Sequence, residues 1–234
     1  MSKFQEQRKL AAILAADVVG YSRLMAHDEA GTHARLKDVL ADVVKPSIKR
    51  YAGRIFKVMG DGILVEFASV NEAVQCAVRL QTQLDQTARQ NDGDDAIRMR
   101  IGISLGDVIV DGSDLFGNGV NVAARMESLA EPGSICISGN VREHLGEDDD
   151  FDIVALGPCH VKNIPQPIDV YQISCDQASA PKSVQAWSID QDIQFCKTPD
   201  GVQIAYATLG DGPPVVSVSN WLTHLELDFQ IPMR

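Results

Sequence analysis

The stretch "GRIFKVMGDGILVEFA", Gly53–Ala68, decides how this chain is built. Two apolar runs flank Gly60-Asp61-Gly62, and Asp-Gly between such runs signals a β-hairpin. Upstream, "AHDEAGTHARLKDVLADVVKPSIKRY", Ala26–Tyr51, carries Leu36, Val39, Leu40, Val43, Val44 and Ile48 at helical spacing with one apolar face. Downstream, "SVNEAVQCAVRLQTQLDQTARQ", Ser69–Gln90, predicts a second amphipathic helix, with Ser69 and Glu72 in a capping-box pattern. Further out, "KLAAILAADVV", Lys9–Val19, is a buried strand ending near an acid. "IRMRIGISLGDVIVDG", Ile97–Gly112, alternates on either side of Gly106-Asp107 and predicts strand–turn–strand.

The order strand–helix–strand–strand–helix–strand is the split-βαβ plan of a ferredoxin-like α+β sandwich. A third helix follows in "DLFGNGVNVAARMES", Asp114–Ser128, and then a short strand in "GSICISG" and a short helix in "VREHL". Two or three strands in Phe151–Ile173 close the first domain, residues 1–175. "DQASAPKSVQA" opens a linker over 176–190, and a short β-rich tail occupies 191–234.

The 234 residues are 45% hydrophobic and carry a net charge of −11. The acidity argues against a duplex nucleic-acid binder, which needs a basic face, but leaves room for a nucleotide held by a few local cations. Cys76, Cys136, Cys159, Cys175 and Cys196 stand without a Cys-x-x-Cys pair, the usage of reduced cytoplasmic thiols. "EQRKLAAILAADVVGY" imitates a signal peptide until Asp17 interrupts the apolar run, and no stretch reaches the roughly 18 apolar residues of a membrane span. The expectation is a cytoplasmic chain with no membrane segment.

Asp17 ends the first strand and Asp61 sits in the hairpin turn. The split-βαβ plan sets the first and third strands side by side, so the two carboxylates can converge. Two Asp oxygens completed by substrate phosphates suit Mg²⁺. Spacing alone favours the plainer reading, Asp61 as a hairpin residue and Asp17 as a strand-end cap. Lys57 lies in an apolar strand and needs a partner or water. Asn121 and Arg125, four residues apart, share one helix face. Arg125 suits a phosphate, although taken alone a surface pair with Glu127 or Glu131 is the plainer reading.

Together, "AADVVGYSRLM", "FKVMGDGILVEF" and "DLFGNGVNVAARMESLA" resemble the class III nucleotidyl cyclase catalytic domain, in order and at its spacing, from about Leu10 to Ile173. The resemblance implies that Asp17, Asp61 and the backbone carbonyl of Val18 hold two Mg²⁺ or Mn²⁺ ions per site. It gives Lys57 and Asp114 to the base, Asn121 and Arg125 to the transition state, and Lys162 to the triphosphate, although Lys162-Asn163 departs from the family's usual Lys-Gly. It further implies a head-to-tail homodimer, the metal aspartates coming from one chain and Lys57, Asp114, Asn121 and Arg125 from its partner.

Adenine offers an acceptor at N1 and a donor at its exocyclic amine, matching a Lys donor and an Asp acceptor; guanine reverses that order. The expected substrate is therefore ATP, cyclised to 3′,5′-cyclic AMP by in-line attack of the ribose 3′-hydroxyl on the α-phosphate. A module of the same shape that binds nucleotide without catalysis is the alternative. In the third helix, Gly117 and Gly119 are expected to let the backbone approach the nucleotide. The tail from Ile193 resembles the opening strands of an α/β-hydrolase. It lacks a Gly-x-Ser-x-Gly elbow within these residues, so no hydrolase activity is expected of them.

Overall fold

A computed structural model describes residues 7–90, 96–146, 151–159, 167–174, 192–197 and 203–208. The chain divides into two compact units, Met1–Pro181 and Lys182–Arg234. Lys162, Cys175 and the 176–190 linker lie outside the described residues.

In the first unit, β1 (Gln7–Val18) is followed by three helical pieces, α1 (Tyr21–His27), α2 (Glu29–Val39) and α3 (Lys45–Arg50). The hairpin strands β2 (Arg54–Met59) and β3 (Gly62–Phe67) then lead to α4 (Val70–Gln90) and β4 (Met99–Asp111). These strands lie in the order β2-β3-β1-β4, all antiparallel, which is the expected split-βαβ core with β1 beside β3. Beyond β4 the sheet continues through β6 (Ile135–Ser138), β8 (Ile168–Ile173) and β7 (Ile153–Cys159), with β6 parallel to β4. A three-residue strand, β5 (Asp114–Phe116), folds back on the end of β4, ahead of α5 (Asn118–Leu129); α6 (Gly139–His144) follows β6.

Period-two alternation divides the sheet between two cores. Leu14, Ala16 and Val18 of β1 join Val65, Phe67, Leu80, Met99 and Ile101 in a cluster that takes in α4. Ala11, Ile13 and Ala15 join Leu64, Val108, Leu115 and Ala123 on the face under α5. Asp17 continues that second series and so belongs to the α5 face.

Three local expectations are corrected. The helix predicted over Ala26–Tyr51 is interrupted twice. Asp28 is extended (φ −148°) and caps α2 by accepting from the Gly31 N–H at 2.9 Å. A π-helical turn at Leu40–Val44 precedes Pro46, whose ring would crowd the carbonyl four residues back in a regular helix. The hairpin turn is Gly60-Asp61, one residue earlier than the Asp-Gly signal, because Met59 pairs with Gly62. Gly60 takes the positive φ of +63° that the first turn position demands.

The third correction concerns the glycines. Gly106-Asp107 is not a turn: β4 runs unbroken through it, pairing Gly106 with Ala11 and Asp107 with Leu10. A Cβ on Gly106 would come within 3.1 Å of the Gly119 Cα, and one on Gly102 would collide with the Glu127 nitrogen and the Ala123 carbonyl. Gly119 faces Gly106, and a Cβ on Gly117 would stand 3.1 Å from the Asp107 carbonyl. The glycines of the third helix are therefore engaged by β4, where backbone packs on backbone. Ser104 seals the contact by donating to the Gly119 carbonyl at 2.5 Å.

In the second unit, β9 (Asp192–Lys197) and β10 (Gln203–Thr208) form an antiparallel pair. Among the described residues, no helix is long and apolar enough to cross a membrane.

Candidate active site

Pairing of Ala16 with Ile63 sets Asp17 beside the β2–β3 turn, where Asp61 stands. Both carboxylates are half-buried. Burial pushes the Asp61 carboxyl up; the Asp17 charge and a hydrogen bond with Asp17 push it further, against an opposing pull from Arg100. Two acids facing each other in this way repel, and a bound cation relieves that repulsion. Among the described residues no third His, Cys, Asp or Glu completes a protein cage around a metal. A pair of carboxylates with open positions nonetheless fits Mg²⁺ or Mn²⁺ that also binds substrate phosphates.

Two residues that the sequence did not assign to the carboxylates complete this corner. Arg100 stands opposite Asp17 across β1 and β4, its Nη2 3.4 Å from Asp17 Oδ2. Its Nε lies 3.0 Å from Glu127 Oε1, an ion pair by distance, though neither atom is aligned for a hydrogen bond. Burial drives the Glu127 carboxyl up to about 7, and the Asp17 and Asp61 charges add to the rise against the pull of Arg100. The available signal was alternation: a charged residue within the β4 run "RMRIG" has to find a partner on the sheet face it shares with Asp17.

A folded-state pKa above the unfolded one means that folded Glu127 holds a proton the unfolded chain has lost. Its contribution is therefore complete below about 4.5 and declines as pH rises to about 7. Glu127→Gln removes that decline. Without divalent metal, the variant should unfold at a higher temperature than the parent at pH 7.5, and the two midpoints should converge toward pH 4.5. A parent midpoint that does not fall across this window relative to the variant contradicts the prediction.

Asn121 and Arg125 are both exposed on α5. Arg125 forms no ion pair with Glu127 or Glu131; Glu127 turns to Arg100 instead. Positions 125 and 127 lie about 200° apart around a helix, so Arg125 projects from the side opposite the carboxylate corner. Val122, Ala123 and Met126 are the buried residues between. Lys57 is half-buried, with its Nζ 5.6 Å from the centre of the Phe116 ring, and Asp114 is half-buried at the start of β5. The structure thus brings Asp17 to Asp61, and β2 with Lys57 to β5 with Asp114. No ion pair among the described residues joins those two groups. A cleft lined by Gln81, Arg98, Glu131, Gly133 and Gln172 contains none of these residues. Lys162, expected on the triphosphate, lies outside the described residues.

The family model of the adenylate and guanylate cyclase catalytic domain matches residues 4–175. A Rhizobium meliloti (strain 1021) protein named "Putative adenylate cyclase 3" is 46% identical over 187 residues, covering 80% of this chain and 32% of that protein. The pH-sensitive adenylate cyclase MT1302 of Mycobacterium tuberculosis is 26% identical over 165 residues, covering 68% of this chain and 39% of that protein. The chain therefore spans about a third of the length of these relatives. Among solved structures, the adenylate/guanylate cyclase/hydrolase from Silicibacter pomeroyi aligns with a TM-score of 0.69 at 39% identity, over 72% of this chain and 98% of that one. The adenylyl cyclase CyaB from P. aeruginosa shares the fold at a TM-score of 0.64 and 23% identity, over 77% of this chain and all of that one. With the motifs in order on a matching fold, the chain belongs to the adenylate and guanylate cyclase catalytic-domain family.

Proposed function

We propose that this chain is an adenylate cyclase, converting ATP to 3′,5′-cyclic AMP and pyrophosphate at sites shared between two copies arranged head to tail. The observation that carries the proposal is the separation just described. The paired carboxylates face the inner side of α5, while Asn121 and Arg125 project unpaired from its outer side. Within one chain, α5 stands between the carboxylate pair and the exposed Asn121 and Arg125. A second copy can bring its α5 to the first copy's carboxylates.

Asp17 and Asp61, with the Val18 carbonyl, would hold the divalent ions, which when bound neutralise phosphate charge and acidify the attacking 3′-hydroxyl. Lys57 donates to adenine N1 and Asp114 accepts from the exocyclic amine, leaving guanine with donor facing donor and acceptor facing acceptor. Arg125 neutralises charge developing on the α-phosphate as pyrophosphate leaves, and Asn121 orients the ribose. Lys162 is assigned to the triphosphate through the family resemblance alone. A cytoplasmic setting belongs to the same proposal, since reduced thiols persist there. So does the hydrolase-like character of the tail; an antiparallel β9–β10 pair agrees with that resemblance without being specific to it.

Incubation with ATP and either Mg²⁺ or Mn²⁺, with GTP as the control, tests the reading. The expected product is cyclic AMP, with cyclic GMP formed far less efficiently. No product with either metal from a verified dimer favours a silent nucleotide-binding module and sinks the proposal.

A further inference from the structure

Lys57 and Asp114 sit on different strands, and β5 is only three residues long with three backbone pairs to β4. Such a strand gains little order from its own ladder. Two side-chain contacts tie it to β2. One is Lys57 against Phe116. The other is Arg54, which lies three residues before Lys57 and sends its Nη1 to the Ser113 carbonyl at 2.7 Å. Ser113 immediately precedes Asp114.

The Arg54 guanidinium is itself anchored. Its Nε and Nη2 both donate to Glu66 Oε2, at 2.9 and 2.6 Å. Glu66 pairs with Arg54 across the β2–β3 ladder, and Lys9 of β1 holds its other oxygen. The Glu66 side chain is only 12% exposed, so it is a firm base for that contact. Burial works to raise the Glu66 carboxyl, but hydrogen bonds from Lys9 and Arg54 outweigh it and keep the group below its ordinary range. Between Arg54 and Lys57 the ladder shifts register: Ile55 faces Val65 and Lys57 faces Leu64, with Phe56 left as the extra residue and buried in the core under α5. A bulge of this kind re-aims the side chain after it. Contacts thus run from β1 through Glu66 and Arg54 to the β4–β5 turn, with Lys57 in β2 and Asp114 in β5.

We infer that Arg54 is a positioning residue for base selection, its guanidinium bridging Glu66 and the Ser113 carbonyl to set the separation of Lys57 and Asp114. The inference rests on the assignment of those two residues to the purine. A guanidinium is required because one edge grips the carboxylate while the other reaches the carbonyl; an ammonium is a single point that cannot span both. Base discrimination by paired hydrogen bonds is sensitive to that spacing, since a donor and an acceptor moved apart leave one of them unpaired.

The test is Arg54→Lys, with Arg54→Ala beside it, in the whole 234-residue chain. Steady-state kinetics with ATP and GTP are compared with calorimetric binding of 3′-deoxy-ATP and 3′-deoxy-GTP and with thermal unfolding. In the Lys variant the ratio of kcat/KM for the favoured base over the other should move toward one by about tenfold, mainly through KM. The binding ratio should move in parallel while the unfolding midpoint stays near the parent's. Equal losses for both nucleotides, or an unchanged ratio, overturn the inference and leave the cyclase reading standing. A parent that prefers GTP overturns the choice of ATP instead, and the Lys variant then still decides the role of Arg54. A parent that binds neither nucleotide overturns both.

Discussion

Arg125→Ala should lower turnover of ATP by about 10²–10³-fold, the loss seen when a donor aimed at developing charge is removed. KM should change far less, because a group that acts mainly on the transition state contributes little to ground-state binding. The structure isolates this effect from folding. Arg125 is exposed, has no ion pair with Glu127 or Glu131, and is not among the buried α5 residues Val122, Ala123 and Met126. Truncating an exposed, unpaired side chain shifts stability by no more than about 0.5 kcal/mol. A large fall in kcat with an unmoved unfolding midpoint is therefore chemistry. A fall shared equally between kcat and affinity would remove Arg125 from the transition state, and no fall at all would remove it from the site.

Asp61→Ala should abolish cyclic AMP formation, and mixing it with Arg125→Ala should bring activity back. With random pairing of equal amounts, half of the dimers are mixed. Each mixed dimer combines one intact carboxylate pair with one intact Arg125, so about a quarter of parental activity returns. A site contained in one chain predicts none. The Asp61 variant should also unfold no earlier than the parent in the absence of metal. Burial and the Asp17 charge both disfavour its ionised form, so removing the group relieves a repulsion. Loss of activity without loss of stability is the mark of a residue kept for function at some expense to the fold. An Asp61→Ala chain that fails to fold would contradict this account of the carboxylate pair.

The helix face of Asn121 and Arg125 was legible because a four-residue spacing has only one meaning on a helix. The hairpin at Asp61 was legible because Gly-Asp-Gly between apolar runs has few other uses. Gly106-Asp107 misled for the same reason that Gly60-Asp61-Gly62 informed. Glycine admits both a turn and a close backbone approach, and the neighbours that choose between them, Gly119 and Ala11, are remote in sequence. Arg100 escaped notice, and Glu127 was read only as a partner for Arg125, because a charged residue in a strand or helix declares no role until its partner is placed. The break at Asp28 turned on one local hydrogen bond overriding a helical pattern that continues on both sides.

By itself the sequence determined the element order, the two amphipathic faces and the residue types that nucleotide chemistry requires, because each depends on spacing within a few neighbours. Tertiary structure alone decided which of those residues meet. Strand register carries Asp17 to Asp61 and Arg100, and glycine contacts draw α5 onto β4 so that Glu127 turns inward while Arg125 faces out. A backbone bulge and an arginine bridge then set β5 against β2. These are contacts between segments tens of residues apart, and their free energy exists only when the whole sheet has closed.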